Sequence, residues 1–128
     1  MNKYVLDSSA VIAVLFSEPG HENILPLLPD SVLSVINFAE IIGVVLTRGK
    51  YKIDEIIKLV GSFVPEIVPY SIPIAIRTGV LLNDTKSFGL SLGDRACIGT
   101  ALELGYNIIT ADKIWSKVKL PVEIVFVR

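Results

Sequence analysis

At 128 residues, with one cysteine and a formal charge of −1 from 12 basic and 13 acidic residues, the chain has the length of one domain that buries its own core without staples. Cys97 has no partner for an intrachain disulfide and no Cys and His pairs stand at zinc-finger spacing, which fits a reducing, cytoplasmic setting. A hydrophobic content of 52% and a mean hydropathy of +0.62 raise a membrane reading, but the longest apolar stretch, Ser34 to Leu46, holds only about a dozen residues and carries Asn37 and Glu40, against the roughly 20 that a spanning helix needs.

Lys3 to Leu6 reads as a buried strand and Ser9 to Phe16 as a helix. Lys3 and the run Ala10 to Phe16 imitate a signal peptide, but Asp7 interrupts the apolar region and no small-residue cleavage site follows Phe16. His21 to Leu28 is predicted as a second helix and Val32 to Ser34 as a short strand. A long helix runs from about Ile36 to Arg48 and stops at Gly49, and Ile53 to Phe63 repeats Ile and Val at helical spacing. Glu66 to Val68 is a brief strand, Ile72 to Leu82 and Leu92 to Leu104 are helices, and Asn107 to Thr110 is a strand. Asp112 to Trp115 is a helical turn, and Val122 to Val127 the last strand. No repeat, low-complexity tract or linker interrupts this series, so residues 1–128 are expected to form a single domain. Strands alternating with helical crossovers predict an α/β fold, with a parallel sheet covered on both faces.

In open parallel sheets the functional crevice lies beyond the carboxyl ends of the strands. Asp7 directly follows the first strand and Asp112 follows Asn107-Ile-Ile-Thr-Ala, so both project at one edge. Asp94 opens the helix leading into that second strand, and a crossover helix runs antiparallel to its strands, so its N-terminus lies at the same edge. Glu40 is flanked by Phe38, Ala39, Ile41 and Ile42 in a helix that reads as apolar almost all round. No Lys or Arg stands three or four residues from it, so an ionised Glu40 is expected to need a metal or another partner. Asn37, one turn earlier, extends a polar stripe with it.

Four gathered carboxylates repel one another unless a cation lies between them. Mg²⁺ or Mn²⁺ takes hard oxygen ligands, activates water and stabilises charge on a phosphodiester, so the chemistry implied is phosphodiester hydrolysis. Withdrawing four of the 13 acids into such a pocket leaves nine against 12 bases, a mild positive surplus on the remaining surface.

Each acid also has a structural reading. Asp7 in Asp-Ser-Ser and Asp112 before Trp115 both fit helix caps, and Ser91-Leu-Gly-Asp94 has capping-box spacing. For Glu40 the alternatives are a core salt bridge or a dimer contact. Ser8, Ser9 and Thr110 are candidates to cap or orient acids. Arg95 adjoins Asp94 and either meets substrate phosphate or balances the acids, and Arg48, Lys50 and Lys52 form a basic cluster that meets phosphates or is simply a solvated face. His21 reads as solvated, Cys97 as a core residue and Trp115 as packing at the domain edge.

The segments Tyr4-Val-Leu-Asp7-Ser-Ser-Ala-Val, Val35-Ile-Asn-Phe-Ala-Glu40-Ile, Leu90-Ser-Leu-Gly-Asp94-Arg-Ala-Cys and Ile109-Thr-Ala-Asp112 together make a sequence that resembles the PIN-domain family, and within it the VapC-type toxins of toxin–antitoxin pairs. The resemblance spans essentially the whole chain. It implies a three-layer α/β/α fold with a central parallel sheet of about four to five strands. It also implies Mg²⁺- or Mn²⁺-dependent endoribonuclease activity on an RNA such as a tRNA or mRNA, a homodimer, and a small antitoxin partner. Residue by residue, it makes Asp7, Asp94 and Asp112 metal ligands, Glu40 the fourth acidic position and Thr110 the supporting hydroxyl.

Two other classes stay in view. The apolar excess suits an interaction module that keeps the fold but acts by binding a partner, and it raises the expectation of an apolar interface in either case. A phosphoryl-accepting domain with Asp7 as nucleophile is disfavoured, because Ser9 stands where its second acid would be.

Overall fold

The computed structural model describes residues 3–128; residues 1 and 2 of the expected domain lie outside the described residues. Five strands, β1 (Tyr4–Leu6), β2 (Ser31–Ser34), β3 (Glu66–Val68), β4 (Asn107–Thr110) and β5 (Ile124–Phe126), form one sheet in the order β3-β2-β1-β4-β5. Every pairing is parallel, as helical crossovers require. The chain leaves β1 toward β2 on one side and returns through β4 on the other, so the strand order reverses beside β1. That is where open α/β sheets carry their crevices.

Successive strand residues point to opposite faces and build two cores. Leu6, Leu33 and Ile109 pack with α1 (Ser8–Leu15), α2 (Val35–Arg48) and α3 (Ile53–Phe63). Val5, Val32 and Ile108 pack on the other face with α4 (Ile72–Val80), α6 (Leu92–Leu104) and Trp115. This is the expected three-layer α/β/α arrangement. Cys97 and Trp115 are both fully buried, so Trp115 belongs to the core and not to the domain edge.

The departures from the predicted elements have local causes. His21 to Leu28, expected as a helix, is two 3₁₀ turns, His21–Asn23 and Leu25–Asp30, because Pro26 and Pro29 lack the N–H an α-helix would use there. The helix from Ile72 stops at Val80 and is followed by a separate turn, α5 (Leu82–Thr85), and a 3₁₀ turn, Lys86–Phe88. The last strand is shorter than Val122 to Val127. Gly49, in the left-handed conformation at φ 76°, closes α2 as expected.

The apolar sequence of α2 does not enclose the helix, as a nearly buried Glu40 would have required. Val35, Val44 and Leu46 are exposed, because only Asn37, Ile41 and Val45 on one face of the helix reach full burial. Among the described residues no helix is long and apolar enough to cross a membrane.

Candidate active site

Asp7 leaves β1 at its carboxyl end, beside β4, whose Ile109 pairs with Leu6. It occupies the N-cap position of α1 without capping it. Its Oδ2 instead accepts hydrogen bonds from the Ser9 hydroxyl at 2.6 Å and the Thr110 hydroxyl at 2.9 Å. Oδ1 is buried and has no partner. A buried carboxylate oxygen left unsatisfied is costly. Burial pushes the Asp7 pKa up to about 6; nearby Asp94 and Glu40 add to the rise, and the two hydroxyls oppose it.

Thr110, fully buried at the end of β4, links two acids: while it donates to Asp7, its oxygen accepts from the Asp112 backbone N–H at 3.0 Å. Ser9 likewise accepts from the Ala111 N–H at 2.9 Å. Asp112 caps the 3₁₀ turn Lys113–Lys117, its Oδ1 accepting from the Ile114 N–H at 3.1 Å. Asp94 forms the capping box expected from its spacing, its Oδ2 accepting from the Ser91 N–H at 2.9 Å while Ser91 Oγ accepts from the Asp94 N–H at 3.1 Å. Burial raises the Asp94 pKa, the bonds from Ser91 oppose this, and Glu40 and Asp112 add to it.

Glu40 is half-buried in the second turn of α2, not enclosed. Its Oε1 accepts from Ser8 Oγ at 2.8 Å and from Asn37 Nδ2 at 2.9 Å. Asn37 is buried and also donates to the Gly93 carbonyl at 3.1 Å, tying α2 to the start of α6. At Gly93 a Cβ would overlap the Glu40 carboxylate, so a larger residue there would push that carboxylate out of its place.

Each of the four acids is therefore gripped through one oxygen. Among the described residues, nothing donates a hydrogen bond to the other oxygen. The donor set is all carboxylate, which suits a hard divalent cation. Among the described residues no three His, Cys, Asp or Glu side chains stand close enough to enclose a metal ion between them. Mg²⁺ keeps several waters and takes only one or two carboxylates directly, so it does not require a closed cage of ligands.

The expected basic contacts are not brought to the acids. Arg48 and Lys50 lie at the far end of α2, about 12 Å along the axis from Glu40 to Arg48. There both cations approach the Phe16 ring, at 4.5 and 5.7 Å, and Arg48 reaches Glu18 at 3.4 Å. Lys52 is exposed ahead of α3, its N–H bonded to Glu55. Arg95 is turned toward α4, with Nη1 donating to the Thr78 carbonyl at 3.4 Å and Nε buried without a partner. His21 packs against the Glu18 carbonyl and Glu22. Burial raises the Cys97 thiol pKa well above its usual value, an inert core residue. The sequence reading passed over Lys113, Lys117 and Lys119, all exposed just after Asp112; three lysines within seven residues of an acid was the available signal.

A family model described as the PIN domain matches residues 4–120. In fold the chain is similar to DNA-bound VapBC from Salmonella typhimurium, with a TM-score of 0.75, 20% identity and 100% of both chains covered. It is similar to VapBC-1 from nontypeable Haemophilus influenzae, with a TM-score of 0.70, 23% identity and 97% of each chain covered. VapBC-5 from Mycobacterium tuberculosis, a member of the VapBC family of toxin–antitoxin systems, gives a TM-score of 0.67 at 20% identity, covering 95% of this chain and 96% of its own. No curated protein gives a significant match. At these identities the solved structures establish a shared fold, and the family model covers nearly all of the sequence. The chain belongs to the PIN-domain family.

Proposed function

We propose that the chain is a Mg²⁺- or Mn²⁺-dependent endoribonuclease acting as the toxin of a toxin–antitoxin pair. The observation that carries this reading is the unpartnered Asp7 Oδ1, buried at the sheet's switch point with Asp94 and Glu40 near enough to raise its pKa. Asp7, Asp94, Asp112 and Glu40 are the residues that would hold the ion. A divalent cation supplies, when bound, a water of lowered pKa and positive charge for the phosphodiester transition state. Ser9 and Thr110 hold Asp7 by Oδ2, and Ser8 and Asn37 hold Glu40 by Oε1, so the carboxylates are oriented before substrate arrives.

The toxin role and a small antitoxin partner draw support from the toxin–antitoxin complexes that share the fold. A homodimer is favoured by α4, where Ile72, Ile76 and Val80 are 78%, 62% and 71% exposed along one face. The same face favours the second reading, a catalytically weak interaction module.

Incubating the purified chain with end-labelled RNA tests the proposal. Mg²⁺ or Mn²⁺ should support cleavage, EDTA should abolish it, and Asp7→Asn should remove it from a protein that still folds. Cleavage that survives EDTA or Asp7→Asn would sink the assignment.

A further inference from the structure

A nuclease acting on a polymer has to hold more of it than the bond it cuts, and the acids themselves repel phosphate. A cleft of about 460 Å³ is lined by Leu81, Asp84 and Phe88 and by Lys117, Val118 and Lys119. Both groups of lining residues are close along the chain to Asp94 and Asp112. Phe88 stands three residues before Ser91, the N-cap of α6 and the partner of Asp94. Lys117 ends the turn that Asp112 caps, about 10 Å from it at the rise of a 3₁₀ helix. The bond from Arg95 to the Thr78 carbonyl brings the last turn of α4, which leads into Leu81, against the first turn of α6.

The chemistry of the cleft is mixed in a specific way. Leu81 and Val118 form a buried apolar floor, and the half-buried Phe88 ring lines the cleft beside them. Lys117 and Lys119 line it and are exposed. Asp84, also exposed, adds an acceptor for a base N–H. An aromatic face beside cations spaced along one track is how proteins hold single-stranded nucleic acid: bases stack, and phosphates pair with the cations. An acidic peptide would use the lysines alone.

We propose that this cleft holds a base of single-stranded RNA flanking the cleaved bond, stacked on Phe88, with the strand's phosphates on Lys117 and Lys119. The proposal rests on the ribonuclease reading. Steady-state cleavage in Mg²⁺ by the full chain tests it, with a single-stranded RNA of about 12 nucleotides compared with a dinucleotide too short to reach the cleft. Phe88→Ala should raise KM for the long RNA roughly fivefold or more, with kcat and dinucleotide cleavage unchanged. Phe88→Tyr should restore it. Phe88→Leu, which keeps the apolar packing, should fail to. Anisotropy of the labelled long RNA should show the slope of log affinity against log salt falling by about 1.4 in a Lys117→Ala, Lys119→Ala double variant. Equal KM changes for both substrates, or none in any Phe88 variant, with an unchanged salt slope would overturn the cleft and leave the ribonuclease reading standing. A wild-type chain that neither binds nor cleaves RNA would overturn both.

Discussion

Replacing Asp7 by Asn should stabilise the metal-free protein while it removes activity. Asp7 is 3% exposed, and burial, with Asp94 and Glu40 nearby, pushes its pKa up from 3.8 to about 6. That rise of about 2 units, at roughly 1.4 kcal/mol each, amounts to about 3 kcal/mol against the ionised form. Because the folded pKa lies above the unfolded one, the neutral carboxyl's contribution is fully present below the unfolded pKa. It is lost as pH rises through the folded value near 6. Asn has the same shape, can accept from Ser9 and Thr110 through its carbonyl, and carries no charge. In EDTA the variant should therefore melt above wild type at neutral pH by up to about 10 °C, less the cost of an amide N–H that finds no acceptor where Oδ1 had none, and the gap should close as pH falls toward 4. Differential scanning calorimetry over this range measures both. Saturating Mg²⁺ should stabilise wild type by about 2.7 kcal/mol at a hundredfold excess over its Kd, and Asp7→Asn by clearly less. An Asp7→Asn protein that melts below wild type at neutral pH, or a gap that does not depend on pH, would refute the reasoning.

Thr110→Val removes the donor to Asp7 Oδ2 and leaves the Asp112 N–H without its acceptor; stability should fall by about 1–3 kcal/mol in urea unfolding, and cleavage should fall with it. Gly93→Ala drives a methyl group into the Glu40 carboxylate, so cleavage should drop by about tenfold or more, as a 1 Å misplacement already can. Adding Glu40→Ala should recover part of the lost stability without recovering cleavage, a coupling that a double-mutant cycle reads directly. Ile76→Glu, on the exposed α4 face, should convert a dimer to a monomer in light scattering while changing the melting point of the monomer little.

The fold was legible because period and punctuation agreed. α3, α6, β3 and β4 have the bounds read from the sequence, each an apolar run closed by a turn signal. His21 to Leu28 failed because its apolar spacing was weighed over Pro26 and Pro29, whose missing N–H groups decide the backbone. Of the site, all four acids were visible, but capping and site membership had been weighed as alternatives. Asp94 and Asp112 do cap, and still leave a second oxygen without a hydrogen bond from the described residues. The reasoning that singled out Glu40 was physically mistaken. An apolar sequence around a helix does not bury every face of it, and Val35, Val44 and Leu46 of α2 are exposed. Glu40 is held instead by Ser8 from α1, 32 positions away, a contact that no local pattern encodes. The basic residues went astray for a related reason. Arg48 and Lys50 are close to one another in sequence but at the wrong end of their helix, whereas Lys113, Lys117 and Lys119 follow an acid directly.

The central claim is that the carboxylate cluster binds a divalent ion, and calorimetric titration of Mn²⁺ into the full chain at neutral pH tests it most directly. Wild type should bind Mn²⁺, Asp7→Asn and Asp94→Asn should each weaken binding by about tenfold or more, and each variant should remain folded. A wild-type chain that binds no divalent ion, or variants that bind it as tightly as wild type, would contradict the account and favour the interaction module.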